Sequence, residues 1–170
     1  MVHPAQLPIE DLLVQCKFRR TRRSGPGGQH RNKVETAVVI EHLPTQVRAE
    51  GSERRSQSLN REVAIHRLRT QLALQLRTPA SESSCNAPPS QLWKSRVSGG
   101  KVSVNVAHAD FPSLLSEALD ILASNAYEIS PSADRLGITN SQLVKFLKLE
   151  PAALLAVNRH RSERDMPALR

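Results

Sequence analysis

Aromatic residues are scarce: of 170 positions only Phe18, Trp93, Phe111, Tyr127 and Phe146 carry a large ring. Modules that read single-stranded nucleic acid by stacking its bases need several exposed rings, so an RRM- or OB-type platform is not expected. Cysteine is scarcer still. Cys16 and Cys85 make neither a disulfide framework nor a zinc ligand set, and a reducing cytoplasm is the default compartment. No apolar run approaches the ~20 residues that a membrane span needs. The first residues include Glu10 and Asp11 and no apolar core, so they do not read as a secretory signal and make a poor organellar transit peptide. The most telling absence is local. Positions 17–33 hold no Asp or Glu, while Lys17, Arg19, Arg20, Arg22, Arg23, Arg31 and Lys33 all fall there.

The chain carries a formal charge of +8, with 39% hydrophobic and 24% charged residues, a composition of the soluble globular kind. The charge is unevenly placed. Residues 1–80 hold 14 Lys or Arg against 7 Asp or Glu, and residues 81–170 hold 10 against 9. A polyanion contact therefore belongs to the N-terminal half, and with so few rings it must run through phosphates and shape.

Local patterning gives an α+β reading. Leu7–Cys16 is a short helical candidate, and residues 17–23 read as extended. Val34, Thr36, Val38 and Ile40 alternate on one face of a strand. His42-Leu43-Pro44-Thr45 is a turn, followed by a second strand at about 46–51 with Val47 and Ala49 inward. From about Arg55 to Arg77 the spacing of Ile65, Leu68, Leu72 and Leu76 is helical, ending at Thr78-Pro79. Residues 78–90 are rich in proline and serine, the composition of a linker. Ser98-Gly99-Gly100-Lys101, before Val102, Val104 and Val106, lacks the spacing of a Walker loop and reads as a turn before a short strand.

Residues 112–160 read as helical. Leu114, Leu115, Ala118, Leu119 and Leu122 form one apolar face, and Ser130-Pro131 is a cap followed by proline at the first helical position. Gly137 closes that helix, Thr139 to Gln142 is a capping box for the next, at about 140–148, and a last helix follows from Pro151 to about His160. The segment Ala133–Leu143 resembles a helix-turn-helix. Three parts are expected: a mixed domain over 1–77, a linker with a short strand over 78–110, and a helical domain over 111–170.

Within the acid-free segment lies Gly25-Pro26-Gly27-Gly28-Gln29. Glycine weakens helices and proline removes a backbone donor, so this is a loop with an uncharged hydrogen-bonding tip set among cations. The string Arg23-Ser24-Gly25-Pro26-Gly27-Gly28-Gln29-His30-Arg31-Asn32-Lys33 is followed by Glu53-Arg54-Arg55-Ser56-Gln57-Ser58-Leu59-Asn60-Arg61. In that order and at that separation, the two strings resemble the catalytic domain of class I peptide chain release factors, over about positions 15–77. The family pattern is Gly-x-Gly-Gly-Gln-x-x-Asn-Lys, then Glu-Arg-Ser-Gln-x-x-Asn-Lys/Arg.

The resemblance implies hydrolysis of the ester joining a nascent peptide to the 3′ end of tRNA in the ribosome. Such an ester needs little beyond an oriented water and donors for developing negative charge. It makes Gly27, Gly28 and Gln29 the catalytic residues: the Gln29 backbone N–H toward the oxyanion, its side chain toward water, and the glycines for close approach to the terminal adenosine. Arg19, Arg20, Arg22, Arg23, His30, Arg31, Asn32, Lys33, Arg54, Arg55, Gln57 and Arg61 are the expected contacts to ribosomal RNA. His30 reads as a loop residue rather than a general base. No metal or cofactor is expected, and the partners are the ribosome, at its peptidyl transferase centre, and peptidyl-tRNA, met by a monomer without membrane contact.

Stop-codon-reading release factors carry further domains with a codon-reading tripeptide. The expectation here is a short, codon-independent relative that rescues stalled ribosomes. Such relatives carry a Lys/Arg-rich tail, whereas this chain has a near-neutral helical end with Arg159, Arg161, Arg164 and Arg170. It also has Gln46 where the family turn commonly has glycine, and Arg31 in place of an apolar residue. Two other readings stay open: a non-catalytic ribosome- or RNA-binding protein on the same scaffold, and a DNA-binding regulator using the C-terminal helices.

Overall fold

A computed structural model of the chain describes residues 2–21, 36–78 and 88–170. Its contacts divide it into two compact units. One is Leu7–Leu72, and the other combines Met1–Gln6 with Ala73–Arg170. Helices and a small antiparallel sheet together make an α+β protein.

The first unit opens with α1 (Ile9–Val14), whose first turn carries Glu10 and Asp11, the sign that an N-terminal helix dipole favours. Three strands follow, β1 (Cys16–Thr21), β2 (Ala37–His42) and β3 (Val47–Gly51), antiparallel in the order β1-β2-β3. Val38, Ile40 and His42 are buried with Val47 and Gly51 across from them, and Ala49 is half-buried. The expected strand from Val34 begins at Ala37, and Val34 lies outside the described residues. The β2–β3 turn closes with Gln46 N–H donating to the His42 carbonyl at 2.7 Å, and Gln46 stands at φ 59°. That is the left-handed conformation for which glycine is the ordinary choice.

Helix α2 (Gln57–Gln75) buries Ile65, Leu68 and Leu72, as its spacing predicts, and Ala64 with them, whereas Leu76, expected on the same face, lies past the helix end and is half-buried. The unit boundary falls within its last turn. There the Arg77 guanidinium folds back onto the carbonyls of Ala73, Leu74 and Leu76, satisfying acceptors that a helix end leaves open.

The second unit is built on α4 (Phe111–Ser124), in which Leu114, Leu115, Ala118, Leu119, Ile121 and Leu122 are all buried. The Pro4–Gln6 turn packs on it, with the Ser113 hydroxyl donating to the Ala5 carbonyl at 2.9 Å and the Gln6 amide to the Ser116 hydroxyl at 3.1 Å. Between positions 88 and 110, residues that composition leaves without helix form α3 (Gln91–Arg96). Ser90 caps it, and Glu117 holds Ser90 by both its N–H and its hydroxyl. Trp93 is fully buried there, edge-on to Phe146 at 5.5 Å. One buried indole outweighs the loop-like composition around it, because an aromatic side chain removes more apolar surface from water than any neighbour here could.

Strands β4 (Val97–Ser98) and β5 (Lys101–Val102) form a hairpin about Gly99 and Gly100, at φ 55° and 70°. Two successive positive φ values define the turn that two-residue hairpins favour, so the Gly-Gly pair is a turn and not a phosphate loop. Val104 and Val106 stay half-buried beyond the strand's end. Helices α5 (Ile129–Leu136), α6 (Asn140–Lys148) and α7 (Pro151–Ser162) follow.

The expected Ser130 cap is corrected. Helix α5 starts two residues earlier, at Ile129, with Glu128 as its cap, so Pro131 sits third in the first turn, where a missing N–H costs nothing. Gly137 closes α5 in the left-handed conformation at φ 68°, and the Thr139 hydroxyl accepts from Gln142 N–H to start α6. The C-terminal residues fold back: Leu169 N–H donates to the Asn158 amide oxygen at 2.8 Å, and the buried Arg161 donates to the Tyr127 carbonyl at 2.7 Å.

Candidate functional site

The cationic strand β1 is only partly a surface. Pairing aligns Cys16, Phe18 and Arg20 with His42, Ile40 and Val38 on the buried side of the sheet. Lys17 and Arg19 align with Glu41 and Val39 on the other. Arg19 and Arg20 are both exposed, yet strand alternation sends them to opposite faces, so the Arg-Arg pair is not one patch. On the Lys17 face, Glu41 is engaged by Arg48 at 2.8 Å. On the other, the Arg61 guanidinium lies 4.6 Å above the Phe18 ring. The lone aromatic of the basic half is thus covered on one face by a cation.

The segment before α2 is held by Asn60, which is fully buried. Its amide nitrogen donates to the carbonyl of Arg54 at 2.9 Å and to that of Thr36 at 2.7 Å, and its amide oxygen accepts from Arg54 N–H at 2.8 Å. One side chain therefore ties the start of α2, the bend before it and the entry to β2. Gly51 makes the close approach possible, since a Cβ there would stand 2.1 Å from the Asn60 carbonyl oxygen. Arg54 and Arg55 are left exposed at the bend, Gln57 half-buried at the first turn and Arg61 exposed one residue beyond Asn60. Arg67 clamps the same bend from below, donating to the Glu50 carbonyl at 2.8 Å and pairing with Glu53 at 2.5 Å. The hydrogen bond from Arg67 holds the Glu53 carboxyl below its ordinary range.

Arg22, Arg23, Gly27, Gly28, Gln29, His30, Arg31, Asn32 and Lys33 lie outside the described residues. What the structure gives is the mount of their segment. Thr21 pairs with Ala37, so both flanking strands end side by side, and Asn60 grips Thr36 at the return. Sequence reasoning placed Asn60 within the second motif without giving it a role, and it missed Gly51. A polar side chain among helix-spaced apolar residues was the available signal for Asn60, because a buried amide must be fully hydrogen-bonded. Among the described residues no cluster of His, Cys, Asp or Glu could hold a metal. Burial pushes the Cys16 thiol up, away from nucleophile chemistry.

A family model of the RF-1 domain matches residues 7–106. The chain belongs to the RF-1 domain family. The match takes in the whole first unit and runs on through α3 and the β4–β5 hairpin, while α4 to α7 lie beyond it. Similar relatives are the peptide chain release factor 1 of Xylella fastidiosa (strain 9a5c), 45% identical over 71 residues, and that of Ureaplasma parvum serovar 3 (strain ATCC 27815 / 27 / NCTC 11736), 40% identical over 113 residues. These alignments cover 42% and 65% of this chain but only 17% and 30% of the relatives. The brace of Asn60, Gly51 and Arg67 therefore lies inside the RF-1 domain match, as do the glycine-loop residues. Among the described residues, no helix is long and apolar enough to cross a membrane.

Proposed function

We propose that the protein hydrolyses the peptidyl-tRNA ester on the ribosome without reading a codon, and so releases peptides from stalled complexes. The observation that carries this is the Asn60 brace. It fixes the strand entry at Thr36, next to the segment bearing Gly27-Gly28-Gln29, within a chain that belongs to the RF-1 domain family.

Water attacks the ester carbonyl, the carbonyl oxygen takes up negative charge, and the acyl–oxygen bond to the tRNA ribose breaks. The alkoxide leaves as a protonated hydroxyl. The Gln29 N–H stabilises the oxyanion while its side chain positions water and excludes larger nucleophiles, and Gly27 and Gly28 allow the backbone to approach the tRNA end. Arg22, Arg23, Arg54 and Arg55 supply phosphate contacts to ribosomal RNA, and the protein acts as a monomer in the cytoplasm.

Release of a labelled peptide from stalled ribosomes tests the reading. Gly28→Ala adds a methyl group at the point of closest approach and should abolish release with ribosome binding nearly unchanged. Gln29→Ala should impair release less, since a backbone N–H remains. Release at the wild-type rate by Gly28→Ala would make the protein a binding scaffold. The codon-independent part requires equal release with a sense codon or a stop codon in the decoding site, and a strict need for a stop codon would overturn it.

A further inference from the structure

Helices α5 and α6 are joined by a short turn through Gly137, and the outer face of α6 is cationic. Ser141, Lys145 and Lys148 recur at the four- and three-residue spacing that stacks side chains on one side of a helix, and all three are exposed with Asn140. The opposite side, Leu143, Phe146 and Leu147, is buried. The outer face borders an open groove of about 560 Å3 lined by Ile129, Asn140, Ser141, Val144, Lys145, Lys148, Leu169 and Arg170. That lining holds hydroxyl, amide and cationic donors and no carboxylate side chain. Elsewhere in the unit Arg96 pairs with Asp110 and Arg159 with Glu163. Among the described residues no ion pair engages Lys145 or Lys148.

We propose that this α6 face is a second RNA-binding site, taking the phosphodiester backbone of ribosomal RNA. The inference rests on the ribosomal reading above and adds the contact made by the part of the chain beyond the RF-1 domain match. The choice of RNA over a DNA operator follows from strength. A free-standing DNA reader relies on many phosphate contacts, and residues 81–170 balance 10 cations against 9 anions. Two lysines and a few neutral donors are too weak to bind alone at physiological salt. They suffice when the Arg-rich half of the same chain is already docked, because the second contact then forms at a high effective concentration.

The test uses the full-length chain and purified ribosomes, with affinity measured against salt. Lys145→Ala/Lys148→Ala should weaken binding by roughly 10-fold to 100-fold and lower the slope of log affinity against log salt by about 1.5. Lys145→Arg/Lys148→Arg should restore both, and an unchanged circular dichroism spectrum shows that the fold survives. Wild-type affinity and slope in the alanine variant, with Arg22→Ala/Arg23→Ala still weakened, would overturn this site and leave the proposed function standing. A wild-type chain that fails to bind ribosomes would overturn both. Tighter binding of duplex DNA than of ribosomes, dependent on the same lysines, would replace RNA by DNA as the occupant.

Discussion

Asn60 shows how much backbone one buried side chain can hold. Its three hydrogen bonds, to both backbone groups of Arg54 and to the Thr36 carbonyl, can be replaced by nothing smaller. Asn60→Ala leaves those groups unpaired in a partly buried place and should cost about 1–3 kcal/mol, read as a lower thermal midpoint. It should also slow peptide release more than it weakens ribosome binding, because it frees the Thr36 end of the glycine segment. Equal losses in binding and release would mean that Asn60 only stabilises the fold. Gly51 is the complement of Asn60: the 2.1 Å approach forbids any side chain there. The family pattern quoted from the sequence contains the asparagine. It could not show what Asn60 touches, because Thr36 is 24 positions away.

At the scale of elements, the β2–β3 turn holds two testable features. Gln46 occupies a left-handed conformation that costs a side-chain-bearing residue about 1–2 kcal/mol, part of which glycine returns through its greater freedom when unfolded. Gln46→Gly should therefore stabilise the protein by about 0.5 kcal/mol, and Gln46→Val should destabilise it by more than that; denaturant titration measures both. The turn also buries His42, whose ring nitrogens meet the Thr45 hydroxyl at 2.7 Å and the Gln15 amide oxygen at 3.1 Å. Burial lowers its pKa from 6.5, so the unfolded chain takes up the proton first. Stability is complete above pH 6.5 and is lost as the pH falls from there through the lowered folded value. His3, packed by the Leu76 carbonyl, is also lowered, by burial first. Unfolding midpoints measured from pH 8 to pH 5 should fall below 6.5, and His42→Gln should flatten the curve. A curve rising on acidification would reverse the assigned sign.

For the molecule as a whole, periodicity disclosed the helices α2 and α4 and the strand pair β2–β3, since each buries a face that its spacing marks, while the capping box at Thr139 disclosed α6. Periodicity failed where tertiary contact overrides composition. Helix α3 exists because Trp93 is enclosed, and the Pro4–Gln6 turn is held by Ser113 and Ser116, more than a hundred positions away. For the candidate site, the sequence named the residues of two motifs, and only the fold shows that Arg19 and Arg20 part company and that Asn60 of the second motif grips Thr36, three positions beyond the end of the first.

The same Trp93 gives the molecule an intrinsic optical probe, because it is the sole tryptophan. Its indole N–H donates to the Leu136 carbonyl at 2.9 Å and its ring is shut away from solvent. Its fluorescence should therefore peak toward the blue and resist quenching by iodide until the second unit opens. Circular dichroism sums both units, whereas this emission reports one. Gly51→Ala, a lesion of the first unit, should shift the dichroic transition in urea and leave the emission transition in place. If both move together, light from one indole is reporting a single cooperative block.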